Sequence, residues 1–201
     1  NVWEPVKHPY LAKVIDNPEP PAGFATGLNE NGSAVAWISG KPDAFCNTTD
    51  NEVLHQVLND YDLETKDFFR WKVTLSQEDL TAIVSRKTGI GFGKITELVP
   101  LERGASGRII RLLIRGTERE IVIGKELEIR KALSESHLYS SCFYVVKKEN
   151  EGNITFEING AGWGHGVGLC QIGAAVMASK GYDYKDILMH YFRNSALTKI
   201  Y

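Results

Sequence analysis

The sequence lacks any long hydrophobic run, and this limits how the chain can meet a membrane. Its uninterrupted apolar stretches fall well short of the roughly 20 residues that span a bilayer. No charged-then-apolar leader opens the chain, so we expect neither a transmembrane helix nor a signal peptide within these residues. An initiator Met is missing too, and the start at Asn1 indicates a processed product or a piece of a longer protein.

The chain also lacks an excess of charge of one sign. It has 23 Lys and Arg against 25 Asp and Glu, which gives a formal net charge of -2. Nucleic-acid-binding domains concentrate basic charge, so we expect no nucleic-acid partner, whereas a neutral or weakly charged polymer is compatible. At 201 residues and 43% apolar content, the sequence suits one large domain or two small ones.

Cysteine is scarce. Cys46, Cys142 and Cys170 are odd in number and far apart, with no Cys-x-x-Cys pair, and the five histidines are scattered rather than clustered at ligand spacing. We therefore predict no disulfide framework, no metal site and no cofactor. A zinc site assembled in space from distant residues stays open.

Glycine, by contrast, is concentrated in one segment, at every second position from 160 to 168. In an extended backbone this period places all the glycines on one face and the intervening side chains on the other. The segment therefore predicts a glycine-rich strand whose bare face meets a flat ligand or a crossing backbone.

Short helical and strand patterns fill the rest of the chain, after an irregular Pro- and Gly-rich arm at 1–32. Further strands are predicted at 34–38, 68–75, 95–101, 108–115, 120–123, 141–147, 155–158 and 197–201. Helices are predicted at 51–58, 76–87, 124–133, 168–180 and 184–193. This mixed order predicts an α+β fold with mostly antiparallel sheets, several short helices, and a glycine-rich strand leading into a C-terminal helix pair.

The glycine segment also carries a specific resemblance. Residues 162–175 read Gly-Trp-Gly-His-Gly-Val-Gly-Leu-Cys-Gln-Ile-Gly-Ala-Ala, and 190–192 read His-Tyr-Phe. This pattern resembles the closing signature of the SpoIID/LytB family, the sporulation protein D and amidase-enhancer group. Weaker similarity runs upstream through 2–3, 10–11, 71–73, 103–108, 128–130 and 140–143. The resemblance implies that 33–201 form the C-terminal part of a SpoIID-like domain.

A SpoIID-like protein is, by this resemblance, a lytic transglycosylase that prefers peptidoglycan glycan strands stripped of stem peptides. A protonated glutamate donates to the glycosidic oxygen and then accepts a proton from the substrate's 6-hydroxyl as a 1,6-anhydro ring closes. The family's catalytic glutamate and metal ligands lie in a segment preceding the part resembled here. We therefore expect this chain to supply the substrate-binding half of the site, in the cell envelope outside the cytoplasm, with a cell-wall amidase as a further implied partner.

Three residues near the predicted helix start are the first site candidates. A helix N-terminus disfavours a second positive charge, so we expect a neutral His165 that orients or hydrogen bonds to the substrate. Trp163 suits either stacking on a sugar face or burial in the core. Gln171, in the first helical turn, offers both a donor and an acceptor to a polar ligand.

The remaining candidates are contact residues. Cys170 stands where the family usually has serine. Arg103 and Arg108 flank a tight turn whose guanidinium groups suit binding a carboxylate, and the alternative is a solvated hairpin with charged ends. The expected substrate-binding set is Trp163, Gly164, Gly166, Gly168, Cys170, Gln171, Arg103 and Arg108.

Two other classes of function stay open. A non-catalytic amidase activator or glycan-binding module would keep the glycine segment and Trp163 without turnover. A thiol hydrolase would use Cys170 as nucleophile and His165 as base, because a helix N-terminus lowers a thiol pKa. Cys170→Ser would abolish that hydrolase yet leave a transglycosylase nearly unchanged.

Overall fold

The computed structural model describes residues 6–19, 27–58 and 68–200, which divide into two compact units. The sheet unit is formed by Gly27–Gly40 together with residues 70–165. The helical unit contains the described residues 6–19, 41–58, 68–69 and 166–200. Each unit thus collects segments that are distant in the sequence. The predicted division into an arm and a domain at residue 32 stays a prediction.

The described residues contain six α-helices, one short 3-10 helix at Pro9–Leu11, and six strands. The α-helices are α1 (Asn31–Ser39), α2 (Asn51–Val57), α3 (Gln77–Thr88), α4 (Glu126–Ala132), α5 (Gln171–Ser179) and α6 (Tyr184–Tyr191). The strands are β1 (Arg70–Ser76), β2 (Ile95–Arg103), β3 (Ile109–Gly116), β4 (Glu120–Gly124), β5 (Phe143–Asn150) and β6 (Asn153–Ala161). The predicted α+β class is confirmed.

Two three-stranded antiparallel sheets organise the sheet unit. One has the order β1-β6-β5, with Ile158 of the central strand opposite both Val73 and Val145. The other has the order β2-β3-β4 and is an antiparallel meander, which agrees with the predicted antiparallel sheets. Short connections join β2, β3 and β4, and also β5 and β6, because antiparallel neighbours can reverse direction in a tight turn. By contrast, β1 pairs with β6 from a distant part of the chain.

Helix ends follow the local signals in the sequence. Ser76 caps α3 by accepting a hydrogen bond from the Asp79 N–H at 3.0 Å, and Gly89 ends it in a left-handed conformation (φ 71°). Asp50 caps α2 and Asp183 caps α6 in the same way as Ser76. These three helix starts agree with the predicted positions.

The core of the sheet unit is a continuous apolar cluster between strands and helices. In β6, Phe156 and Ile158 are two residues apart and therefore share one buried face, while Leu80 and Val84 share one face of α3. The buried members are Trp71, Leu80, Val84, Phe92, Ile95, Leu98, Ile109, Leu112, Ile114, Ile129, Leu133, Leu138, Phe143, Phe156 and Ile158.

The helical unit has a smaller apolar cluster around α5 and α6. Its buried members are Phe45, Val53, Val176, Met177 and Tyr191. Tyr191 brings a hydroxyl into this cluster, where it donates to Asp16. The unit therefore combines apolar packing with buried polar contacts.

Residues 34–38, predicted as a strand, belong to helix α1. Ala34 and Ile38 are four residues apart and both buried, so they lie on the same helical face. The Ala34 N–H donates to the Glu30 carbonyl at 3.0 Å in the helical pattern. A short apolar run does not distinguish helix from strand, and the i, i+4 burial decides here.

The predicted final strand is wrong over 197–200, which have no regular structure. These residues are exposed, so no apolar face holds them in a sheet. Residue 201 lies outside the described residues, as do 1–5 and 20–26 of the predicted arm.

Candidate functional site

The glycine segment is not a strand beyond Ala161, where β6 ends. Gly162, Gly164, Gly166 and Gly168 have φ values of 67°, 79°, 68° and 82°. The left-handed region at alternate residues breaks the extended backbone, so the predicted division into a glycine face and a side-chain face is wrong here. The spacing of two therefore reflects a left-handed backbone conformation at alternate residues, and not the side-chain alternation of a strand.

Gly160, still inside β6, is required for packing rather than for a left-handed backbone conformation. A Cβ atom at this position would overlap the indole ring of Trp71. The group that closely approaches the backbone here is therefore the Trp71 side chain of the core, and this contact holds the start of the glycine segment in place.

Three hydrogen bonds fix the turn that follows. Trp71 Nε1 donates to the Gly162 carbonyl at 3.0 Å, and the Gly164 N–H donates to the Tyr139 carbonyl at 2.8 Å. Arg108 Nη2 reaches the Gly164 carbonyl at 3.4 Å. A turn held on both sides in this way presents its side chains in a fixed orientation.

Trp163, between those two glycines, stacks on Tyr139. Their ring centroids are 4.8 Å apart and the ring planes differ by 11°. Trp163 is half-buried and packs against the main core, which agrees with the core interpretation for part of the side chain, and stacking on a sugar face stays a prediction. Sequence reasoning missed Tyr139, whose only signal is an aromatic residue beside the similar segment 140–143.

The two arginines of the turn at 103–108 differ in environment. Arg103 is 4% exposed and donates to Asn31 Oδ1, the Gly107 carbonyl and the Phe143 carbonyl, at 2.6 to 2.8 Å. Its guanidinium is committed to protein acceptors. Arg108 touches the glycine turn, and its buried Nε has no hydrogen-bond partner among the described residues.

His165 is the last residue of the sheet unit and is half-buried. We predicted that the following helix begins at 168, but α5 begins at Gln171. Five residues therefore separate His165 from Gln171, the first helical residue. A helix dipole acts within about one turn, so it no longer supports the prediction that His165 is neutral.

The other predicted contact residues belong to the helical unit. Gly166 and Gly168 are exposed, as is Gln171 at the first position of α5. Cys170 is the N-cap of α5, and its Sγ accepts a hydrogen bond from the Gly173 N–H at 3.5 Å. Within the sheet unit, Trp163, Gly164 and Arg108 come together around Tyr139, and Arg103 lies in the interior.

Cys170 has two neighbours that the sequence did not indicate, Asp16 and Cys46. The Cys46 and Cys170 sulfurs and an Asp16 carboxylate oxygen all lie within 4.8 Å of one another. We call Asp16, Cys46 and Cys170 the thiol–carboxylate cluster. Asp16 and Cys46 are 30 residues apart in the chain, and Cys46 and Cys170 are 124 apart. Metal-binding motifs with short, fixed spacing therefore do not identify this cluster.

The two thiols of this cluster are not equivalent. The hydrogen bond from Cys46 lowers the pKa of Cys170, and the Gly173 and Ile172 N–H groups act in the same direction, against burial. The same hydrogen bond, together with burial, raises the pKa of Cys46. Cys170 is therefore the sulfur that bears the thiolate more readily.

No helix in the described ranges is both long and apolar enough to cross a bilayer. This finding agrees with the absence of long hydrophobic runs in the sequence.

Comparison with known proteins gives one family and several partial relatives. A family profile described as a domain of unknown function, DUF8618, matches residues 1–168. An uncharacterized protein of Brachyspira hyodysenteriae is 45% identical over 65 residues, 32% of this chain and 17% of that protein. The amidase enhancer of Bacillus subtilis is 36% identical over 61 residues, 30% of this chain and 8% of the enhancer.

Stage II sporulation protein D of Bacillus amyloliquefaciens is 40% identical over 73 residues, 36% of this chain. The match covers 20% of that protein, so the chain spans a fifth or less of each of these three relatives. The names of the two Bacillus relatives suggest a cell-wall or sporulation context.

Proposed function

This chain belongs to the domain-of-unknown-function family DUF8618, and we propose that it binds the glycan strands of peptidoglycan as the substrate-binding half of a SpoIID-like lytic transglycosylase. The partial similarity to an amidase enhancer and a sporulation protein supports the cell-wall setting. The observation that carries the proposal is Trp163, stacked on Tyr139 and held on a turn fixed at both ends.

The chemistry of this turn suits a sugar. The apolar face of a pyranose packs on an indole, and the rigid stack means that little side-chain entropy is lost on binding. Arg108, beside the same turn, supplies donors to hydroxyl or carboxylate oxygens. Arg103 is left out of the proposed surface, because its donors already have protein acceptors.

For the other contact residues the proposal rests on the resemblance. His165, at the end of the sheet unit, is proposed to orient the substrate. In the helical unit the exposed Gln171 amide, with Gly166 and Gly168, is proposed to offer polar contacts.

Cleavage needs a protonated carboxyl placed at the glycosidic oxygen. We propose that a glutamate outside these 201 residues supplies it. The chain by itself is then expected to bind glycan weakly and to form few 1,6-anhydro ends.

The binding proposal is tested by co-sedimentation of the chain with denuded glycan strands. Trp163→Ala removes the stacking surface, worth about 0.5–1.5 kcal/mol, so the affinity should fall up to about tenfold. Trp163→Phe keeps an aromatic ring, so its affinity for the glycan strands should fall less. Tyr184→Ala, which removes a 66% exposed aromatic ring from α6, is the matched control and should bind normally.

Equal binding by Trp163→Ala and the unmutated chain, with circular dichroism showing both folded, would reject this surface. Mass spectrometry of the strands separates the candidate functions. Abundant 1,6-anhydro ends formed by the chain alone would contradict the proposal that the catalytic glutamate lies outside these 201 residues.

A second function is favoured by the likeness to the amidase enhancer. A non-catalytic activator would bind glycan through the same turn and would raise the rate of a cell-wall amidase without forming anhydro ends. Amidase assays with and without the chain distinguish this candidate from a transglycosylase.

A further inference from the structure

The thiol–carboxylate cluster is independent of the glycan proposal and lies wholly in the helical unit. Two sulfurs and a carboxylate, from three distant segments, converge in a partly buried place. We propose that Asp16, Cys46 and Cys170, with His190 as the fourth ligand, form a binding site for a divalent thiophilic cation, most simply Zn²⁺.

The separations fit a tetrahedral ion. With Zn–S near 2.3 Å and Zn–O near 2.1 Å, ligand atoms around tetrahedral zinc lie roughly 3.5–4 Å apart. The Asp16, Cys46 and Cys170 ligand atoms already lie within 4.8 Å of one another, so a contraction of about 1 Å or less brings these three atoms to that spacing. Sulfur ligands select zinc over magnesium or calcium, which prefer oxygen.

His190, on α6, is the proposed fourth ligand. It lies outside the set of atoms that are all within 4.8 Å of one another, so its ring must move toward the sulfurs when an ion binds. Its Nε2 lies 3.3 Å from Asp16 Oδ1, the separation expected when both atoms bind one tetrahedral ion at about 2.0–2.1 Å. The side chain is 12% exposed, and Nε2 makes no hydrogen bond to any described residue. Phe45 and Tyr191 pack edge-on against the imidazole, with ring centroids 5.6 and 4.7 Å away, and fix its orientation.

Neighbouring groups hold the carboxylate in place. Tyr191 Oη donates to Asp16 Oδ1 at 2.6 Å, and the Cys46 N–H donates to Asp16 Oδ2 at 3.1 Å. Such outer contacts orient metal-binding side chains. A Cβ at Gly173 would overlap both the Tyr191 hydroxyl and the Asp16 carboxylate, so this glycine makes room for the arrangement.

Binding would tie four segments of the helical unit to one ion. The two thiols release their protons to solvent as their sulfurs bind, so the bound ion faces two thiolates and a carboxylate. The ion would crosslink the N-terminal segment, the loop before α2, the start of α5 and α6. This role is structural and needs no open coordination position.

Titration of the reduced, metal-free chain with Co²⁺ and then Zn²⁺ tests the site. We expect one equivalent of Co²⁺ to give a thiolate-to-cobalt charge-transfer band and tetrahedral visible bands, which Zn²⁺ abolishes. Cys46→Ser and Cys170→Ser should each lower the Zn²⁺ affinity by more than the roughly 10–100-fold typical of a lost outer-shell partner. Cys142→Ala, a thiol in the sheet unit, is the control and should titrate normally.

A second measurement needs no variant. Zn²⁺ should protect Cys46 and Cys170 from alkylation, mapped by mass spectrometry, and a chelator should restore labelling. The proposal is overturned if no charge-transfer band forms, if both serine variants bind Zn²⁺ like the unmutated chain, or if Zn²⁺ leaves labelling unchanged. Trp163→Ala, which tests the glycan proposal, should bind Co²⁺ normally. Loss of glycan binding and loss of metal binding can therefore be distinguished from each other.

Discussion

The two units of this chain are built on different balances of apolar and polar contacts. The sheet unit encloses a continuous apolar cluster between strands and helices, with ring side chains such as Phe92, Phe143 and Phe156 fully buried. The helical unit has a small cluster and places Asp16, two thiols and a tyrosine hydroxyl beside it. Apolar burial scales with area, whereas polar contacts add little net stability unless every partner is satisfied. The stability of the sheet unit should therefore depend on the volume of its buried side chains. The stability of the helical unit should depend on particular hydrogen-bond partners.

The largest expected effect follows from removing volume in the sheet unit. Phe156→Ala empties a position that is 1% exposed in the central strand β6, so the free energy of unfolding should fall by about 3–5 kcal/mol. Urea unfolding followed by far-UV circular dichroism measures this loss. Val146→Ala, at a 37% exposed position of the paired strand β5, should change it by less than about 0.5 kcal/mol. If Phe156→Ala lowers the free energy of unfolding by less than about 1 kcal/mol, the stability of the sheet unit does not depend on buried side-chain volume as proposed.

A smaller effect is expected from adding volume to the same core. Gly160→Ala drives a methyl group into the Trp71 indole, so we expect a loss of about 1–3 kcal/mol and a change in tryptophan fluorescence. Gly164→Ala meets no atom within 4 Å but must adopt a φ of 79°, which costs about 1–2 kcal/mol without disturbing Trp71. If Gly160→Ala leaves the tryptophan fluorescence unchanged, the Trp71 indole does not pack on Gly160 as described.

How far the sequence predicted this molecule depends on how local each signal is. Caps such as Ser76 and Asp183 and the stop at Gly89 are set by neighbouring atoms, and those helix ends agree with the structure. Residues 34–38 were predicted wrongly because five apolar-rich residues fit both periods, and burial at i, i+4 decides between them.

The glycine segment shows a second kind of limit. Its period of two is that of a strand, yet the positive φ angles come from a turn fixed by Trp71, Tyr139 and Arg108, which are distant in the sequence. Trp163 was recognised as a site candidate from its motif, but its partner Tyr139 has no such motif. Asp16 and Cys46 meet Cys170 only through the tertiary fold, so no spacing rule could join them.

The smallest expected effect concerns pH and lies in the helical unit. Burial, and then the Asp16 carboxylate, raise the pKa of Tyr191 well above its usual value of about 10. The neutral phenol is thus favoured in the folded state, and its contribution to stability is complete below about pH 10 and is lost as the pH rises further. Tyr191→Phe cannot ionise, so its unfolding free energy should be lower near neutral pH by about 1 kcal/mol, for one lost hydrogen bond, and should fall less steeply above about pH 10.

Hydrogen exchange resolved by segment gives this measurement for each unit separately. In the unmutated chain, amides of α5 and α6 should lose protection at alkaline pH before those of β6, whereas in Tyr191→Phe the two sets should converge. Tyr184→Phe, which alters the exposed tyrosine of α6, is the matched control and should keep the original order. Equal alkaline sensitivity of α5, α6 and β6 in the unmutated chain would show that the polar contacts of Asp16 and Tyr191 do not set the stability of the helical unit.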